Sequence, residues 1–364
     1  MISAEHAGRI RFSIVIDNYN YASFLANAID SCLRQTYPAF EIIVVDDGST
    51  DGSREVLRGY EGVEGVRILL QENQGQAAAL QHGFDSATGD WILGLDSDDY
   101  YRENCLEEIA RRVDGSVDWI YFRASIVDVG GTRMGARPDP SVVMMQGETW
   151  VPWILEGHLH TFPPQSFHCR SSRFMRSVRL FPNRYVDQKT AIVPDRFLDI
   201  MSSFNCRAAA IDLELGCYRD HARGDSKVAH RNFPRIRSRL RQQILAEEIV
   251  AEKLREKGVQ ARPNFCAYSA YDYWPDRLIS LVCDRAGHPH PGDSRIALFL
   301  RILGTYVNRR QIRLLGAARA ACQYAAVALM PRKLAWSLYR LPATRKIYSQ
   351  ALTRLRGWAA GAHL

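Results

Sequence analysis

Residues 90–99 read D-W-I-L-G-L-D-S-D-D. Trp91, Ile92, Leu93 and Leu95 form a short apolar run around Gly94, the pattern of a strand buried on both faces of a parallel sheet. The run ends in three carboxylates, Asp96, Asp98 and Asp99. Acids crowded at the end of a buried strand repel one another, and a cation offsets that repulsion. Hard divalent cations take oxygen ligands, usually a carboxylate or two plus substrate phosphates. Open sheets bind ligands beyond the carboxyl ends of their strands. The stretch therefore reads as a metal–diphosphate site. The competing reading is an acidic turn that caps the following helix, for which Asp is well suited.

On the N-terminal side the chain alternates strand and helix. Arg11 to Ile16 is a β-branched strand that runs into Asp17-Asn18-Tyr19-Asn20. Phe24, Leu25, Ala28, Ile29, Cys32 and Leu33 share one face of a helix, which Thr36-Tyr37-Pro38 ends. Glu41 to Val45 is a second buried strand, and it too meets acids, Asp46 and Asp47. Gly48 to Ser53 makes a turn into another helix, with Ser53 as its cap. Val66 to Leu70 is a third strand, and Asn73-Gln74-Gly75 opens the helix of Ala77 to Ala87. This alternation predicts an α/β domain with a largely parallel sheet. Three strands end in polar clusters on one sheet edge. No P-loop lysine and no G-x-G-x-x-G fingerprint is present, which disfavours two common nucleotide folds.

The segments F-S-I-V-I-D-N-Y-N-Y (12–21), E-I-I-V-V-D-D-G-S-T-D-G-S (41–53), E-N-Q-G-Q (72–76) and G-D-W-I-L-G-L-D-S-D-D (89–99) together resemble glycosyltransferase family 2. The match weakens through S-F-H-C-R-S-S-R-F, P-D-R-F-L-D and Y-R-D-H and stops near residue 221. The resemblance implies a GT-A fold: a Rossmann-like, largely parallel sheet. It also implies metal-dependent, inverting transfer of a sugar from a UDP- or dTDP-sugar to a lipid-linked or growing glycan of the cell envelope. By that similarity Asn18, Tyr19, Asp46, Asp47, Gln74, Gly75, Asp96 and Ser97 line the nucleotide sugar, and Asp98 holds Mn²⁺ or Mg²⁺. His221 is a further metal ligand or a phosphate contact, and Arg219 offsets diphosphate charge. Where the family has Pro after the first strand, this chain has Asp17. Asp195, after Pro194 in place of the family's Glu, is the expected general base, with Asp187 and Asp199 as fallback acids. A nucleotidyltransferase, or a non-catalytic carbohydrate- or membrane-binding module on the same fold, is the rival reading.

Residues 118–127 read as a further strand, and Gly130 to Pro140 as a turn-rich excursion. Trp150 and Trp153, with His158 and His160 nearby, either line an acceptor groove or pack as core. The chain has eight cysteines and no C-x-x-C pair, so the thiols are expected to be reduced filler. Met1 to Arg11 lacks the pattern of a secretory signal, and the expected location is cytoplasmic.

Charge divides the chain. Up to Asp220 there are 21 Lys and Arg against 31 Asp and Glu; from His221 on there are 26 against 9. We therefore expect two parts: a GT-A domain over 1–222 and a basic, helical region over 223–364. Arg231 to Lys257 carries Ile236, Leu240, Ile244, Leu245 and Ile249 on one face and stops at Gly258. The longest nearly uncharged stretch, Ala320 to Met330, is too short to span a bilayer. Such a region suits an anionic membrane surface on the inner face of the cytoplasmic membrane, a lid or a homodimer contact. Nothing in it is a nucleic-acid motif.

Overall fold

The computed structural model describes residues 9–137, 165–177, 194–221, 233–260, 273–283, 285–286, 288–289, 292–307 and 328. They fall into two compact units, one ending at His221 and the other following it.

The first unit is built on one nine-stranded sheet. Its strands are β1 (Phe12–Asn18), β2 (Glu41–Asp47), β3 (Val66–Gln71), β4 (Trp91–Asp96), β5 (Tyr100–Tyr101), β6 (Trp119–Val127), β7 (Arg133–Arg137), β8 (His168–Ser171) and β9 (Ala208–Arg219). The order is β3-β2-β1-β4-β8-β6-β9-β5, with β7 beside β6. The first four strands are mutually parallel, so their carboxyl ends share one edge. Register pairs Asp17 with Asp96, Asn18 with Asp46, and Asp47 with Gln71. The predicted polar clusters thus meet. β8 runs antiparallel between β4 and β6, while β6 and β9 are parallel.

The apolar runs explain the layers. Every residue of β1 and of β2 is buried, as expected for strands covered on both faces. Helices α1 (Ala22–Leu33), α2 (Ser53–Arg58), α3 (Gln76–Ser86) and α4 (Cys105–Ala110) follow the early strands. Gly83 lets α3 lie directly on the sheet, because a Cβ there would meet Val15 Cγ1 at 2.2 Å. Two local expectations change. Ser53 is the first residue of α2 and does not cap it; the N-cap is Gly52, with no side-chain cap bond, while Asp51 before it accepts the Ser53 N–H at 2.9 Å and the Ala22 N–H at 3.0 Å. Part of the Gly130–Pro140 excursion is β7, the second strand of a hairpin with β6. Helices α5 (Ser172–Ser177) and α6 (Pro194–Asn205) complete the unit. Cys32, Cys105, Cys169, Cys206 and Cys217 are buried free thiols.

The second unit contains helices α7 (Phe233–Glu256), α8 (Tyr273–Cys283) and α9 (Arg295–Val307). Ile236, Leu240, Ile249, Val250 and Leu254 are the buried face of α7, and Gly258 ends it with φ +73°. Ile244 and Leu245 are half-buried. Asp293 links α8 to the turn before α9, accepting from Arg277 Nε at 2.7 Å and lying 3.0 Å from His288 Nε2. Among the described residues no helix is long and apolar enough to cross a membrane.

Candidate active site

β4 delivers Asp96 to the sheet edge, and a tight turn closes when the Asp99 N–H donates to the Asp96 carbonyl at 2.9 Å. That turn gathers the acids: Asp96, Asp98 and Asp99 each present an oxygen within 4.8 Å of the others. Ser97 is buried inside the turn. Gln76 Nε2, at the start of α3, donates to Asp96 Oδ1 at 3.0 Å. The Asp96 N–H donates to Ser166 Oγ at 3.1 Å. Asp99 is 1% exposed; its Oδ1 accepts the Arg219 N–H at 3.0 Å, while its Oδ2 is buried with no hydrogen-bond partner among the described residues. Burial, and then the neighbouring Asp98 charge, hold the Asp99 carboxyl well above the usual carboxylate range. A divalent cation would relieve both effects, and the all-oxygen donor set suits Mg²⁺ or Mn²⁺. The residues present therefore fit such an ion.

β9 supplies the back of this turn. His221 Nε2 lies 2.8 Å from Asp98 Oδ2, with its ring wedged against Tyr21 and Phe24. In this arrangement His221 orients Asp98. Arg219 makes its contacts behind the same turn. Its guanidinium donates to the Asp98 carbonyl (2.8 Å), the Val129 carbonyl (3.2 Å) and Asn27 Oδ1 (2.8 Å). It is 8% exposed and lies over the Phe24 and Tyr100 rings. It clamps the acidic turn from behind, and these contacts commit its charge to the protein's own carbonyls.

The ends of β1 and β2 form the other side. Asp46 is completely buried: it accepts from Asn18 Nδ2 at 2.8 Å and from the Ser49 N–H at 3.1 Å, with Arg54 at 3.7 Å. Asp47 accepts from Gln71 Nε2 (2.8 Å) and from the backbone N–H groups of Gln74 (2.8 Å) and Gly75 (2.7 Å). These two acids build the loops around the edge. Gly75 has φ +94° and open space above it, so the backbone is bare where α3 begins. Asn18 Oδ1 is a second buried acceptor without a hydrogen-bond partner among the described residues. Tyr19 is 44% exposed, an aromatic face left uncovered beside them. A cavity of about 530 Å³ opens next to these loops, lined by Gly48, Arg54, Leu70, Gln71, Glu72 and Asn73.

Pro194 and Asp195 open helix α6. The Asp195 side chain lies outside the described residues, as do Asp187, Trp150, Trp153, His158 and His160. The fallback acid Asp199 is 4% exposed and accepts from Arg170 NH2 at 3.0 Å. Sequence reading missed Gln76 and Ser166, which hold Asp96. Both lie in segments quoted for the resemblance, Gln76 closing E-N-Q-G-Q and Ser166 opening S-F-H-C-R-S-S-R-F, yet neither pattern assigns them a contact with Asp96.

The family described as glycosyl transferase family 2 matches residues 13–181. That match covers just under half of the chain. The match takes in the strands that carry the acidic turn. An uncharacterized glycosyltransferase of Nostoc sp. is 42% identical over 169 residues, 43% of this chain and 49% of its own length. An undecaprenyl-phosphate 4-deoxy-4-formamido-L-arabinose transferase of Aeromonas hydrophila is 37% identical over 133 residues, 35% of this chain and 38% of its own. The chain thus spans about half or less of these relatives. A mannosyltransferase from Pyrobaculum calidifontis, solved with GDP-Man and Mn²⁺, shares the fold with a TM-score of 0.50 at 16% identity, over 96% of this chain and 85% of that one. The matched region is an α/β unit of the GT-A type.

Proposed function

We propose that this chain transfers a sugar from a nucleoside diphosphate donor to an acceptor hydroxyl, with inversion at the anomeric carbon. The observation that carries this reading is the convergence of Asp96, Asp98 and Asp99 at the carboxyl edge of a parallel sheet. Asp96, Asp98 and Asp99 would hold Mn²⁺ or Mg²⁺, whose chemistry is to neutralise charge on the departing diphosphate. His221 keeps the Asp98 carboxylate aimed. Tyr19 offers a face for the base, and the loop that Asp47 holds presents bare backbone at Gly75. Asp195 takes the acceptor proton as the acceptor oxygen bonds to the anomeric carbon. The C–O bond to the diphosphate breaks, and its electron pair leaves with the nucleotide. The Mn²⁺ and GDP-Man bound by the Pyrobaculum calidifontis enzyme support this assignment.

The products test it. Incubated with Mn²⁺ and a panel of UDP-, dTDP- and GDP-sugars, the protein is expected to release nucleoside diphosphate from one of them. Pyrophosphate release from a nucleoside triphosphate and sugar phosphate would instead identify a nucleotidyltransferase. No turnover across the panel, with or without glycan acceptors, would favour a binding module.

The acceptor belongs to the same proposal: a lipid-linked or growing glycan at an anionic membrane surface, reached from the cytoplasmic face. The Aeromonas hydrophila relative, named for undecaprenyl phosphate, supports a lipid-linked acceptor. On α9, Ile296 is 72% exposed and Leu300 58% exposed, one turn apart, with exposed Arg295 and Arg301 beside them. Basic residues flanking an uncovered apolar stripe suit a helix lying in an anionic interface. Ile296→Ser with Leu300→Ser is expected to weaken co-sedimentation with phosphatidylglycerol vesicles by about tenfold. It should not change binding to neutral phosphatidylcholine vesicles, which is weak from the start. Unchanged sedimentation with the anionic vesicles would remove α9 from the membrane contact.

A further inference from the structure

We infer that a buried polar clasp between β8 and α6 sets the position of the residue that takes the acceptor proton; this rests on the proposed role of Asp195. Arg170 on β8 donates from Nε to Ser202 Oγ at 2.7 Å and from NH2 to Asp199 Oδ1 at 3.0 Å. The same Arg170 NH2 lies 3.2 Å from His168 Nδ1, which is 3.4 Å from that Asp199 oxygen, so the guanidinium joins the two. His168 Nδ1 accepts the Trp119 Nε1–H at 2.9 Å, and the two rings are stacked. The ring is therefore neutral, with its proton on Nε2. Trp119, His168, Arg170, Asp199 and Ser202 are all at least nine-tenths buried.

The order of these contacts gives α6 a direction. Moving along the helix from Ser202 to Asp199 follows the strand from Arg170 toward His168. Residues 165–167, the 3-10 turn that precedes β8, also touch α6. That turn holds Ser166, which accepts the Asp96 N–H. From Asp199 to residue 195 the helix rises about 6 Å. From His168 to Ser166 the chain advances about 5 Å. The helix therefore begins level with the acidic turn, and residues 195 and 199 share one face as an i, i+4 pair.

A buried ion pair is a costly way to hold two elements together, since apolar side chains of like volume do so without desolvating charge. What it adds is geometry: the Arg170 fork accepts one helix rotation and one register. Arg170 and Asp199 are positioning residues, acting through Asp195 with no contact to the substrate.

The test is a set of variants of the full chain, assayed with the nucleotide sugar it turns over. Asp199→Asn is expected to lower kcat by about 10- to 100-fold. The donor KM and Mn²⁺-dependent nucleoside diphosphate binding should stay within about twofold. Arg170→Met with Asp199→Leu removes both charges while keeping apolar volume; it should melt cooperatively and show the same loss of kcat. In Asp195→Asn, adding Asp199→Asn should cost nothing more. If Asp195→Asn abolishes turnover but the folded clasp variants keep kcat, the clasp inference is overturned and the base assignment stands. If Asp195→Asn retains turnover, both are overturned.

Discussion

Asp98→Asn is expected to lower turnover by about three orders of magnitude or more while leaving the fold intact. The substitution keeps the shape of the side chain and removes one of the three carboxyl groups gathered within 4.8 Å. An amide oxygen is a weaker ligand for a hard cation than a carboxylate oxygen. The nucleotide diphosphate then loses its counter-charge when the bond to the sugar breaks. The change also takes from His221 its anionic partner at 2.8 Å. Stability should move the other way. Asp98 is one of the groups that push up the Asp99 carboxyl, so removing its charge relieves repulsion in the metal-free protein. The melting temperature in EDTA should be unchanged or higher, and the parent's gain in melting temperature on adding Mn²⁺ should shrink in the variant. Loss of activity with equal or greater metal-free stability marks a residue kept for chemistry. Near-parental turnover would show that the acidic turn does not carry the reaction.

The second large effect is at the base. Asp195→Asn is expected to lower kcat by about 10²- to 10⁴-fold, the usual contribution of a placed proton acceptor. Binding of nucleoside diphosphate with Mn²⁺ should be unchanged, because the acids that hold the ion lie on the β4 turn. The split between the two variants is the informative part. Asp98→Asn should lose binding and turnover together, whereas Asp195→Asn should lose turnover alone. Transient kinetics on saturating donor would separate them. If Asp195→Asn instead weakens donor binding and leaves kcat unaltered, the residue contacts the donor and the base lies elsewhere.

The fold was legible where burial leaves no choice. β1, β2 and β4 are buried strands of mostly apolar sequence, and the acids at their carboxyl ends stand out against them. The edge at which those acids meet follows from parallel pairing. β8 was harder to place. Four residues, His168 to Ser171, join β4 to β6, and two of them are polar side chains used in the clasp. No periodicity announces such a strand.

The site was legible as a location and less so as a set of roles. Asp96, Asp98 and Asp99 converge as their spacing suggested. Asp46, Asp47 and Arg219 are at the predicted edge, and the contacts they make within the protein hold loops and the acidic turn. Which oxygen meets which N–H depends on residues far off in the chain: Arg219 reaches Asp98 across 121 positions and Asn27 across 192. A linear pattern carries no trace of such pairings. The same holds for Asp199, whose partner Arg170 is 29 residues away and buried. In sequence it is simply another acid near Asp195.

The most direct test of the central claim is calorimetric titration of UDP and GDP into the protein, with Mn²⁺ and then with EDTA. Binding of one nucleotide that requires Mn²⁺, and that disappears in Asp98→Asn, is the predicted result. Binding of equal strength in EDTA, or binding that survives Asp98→Asn with Mn²⁺ present, would contradict it.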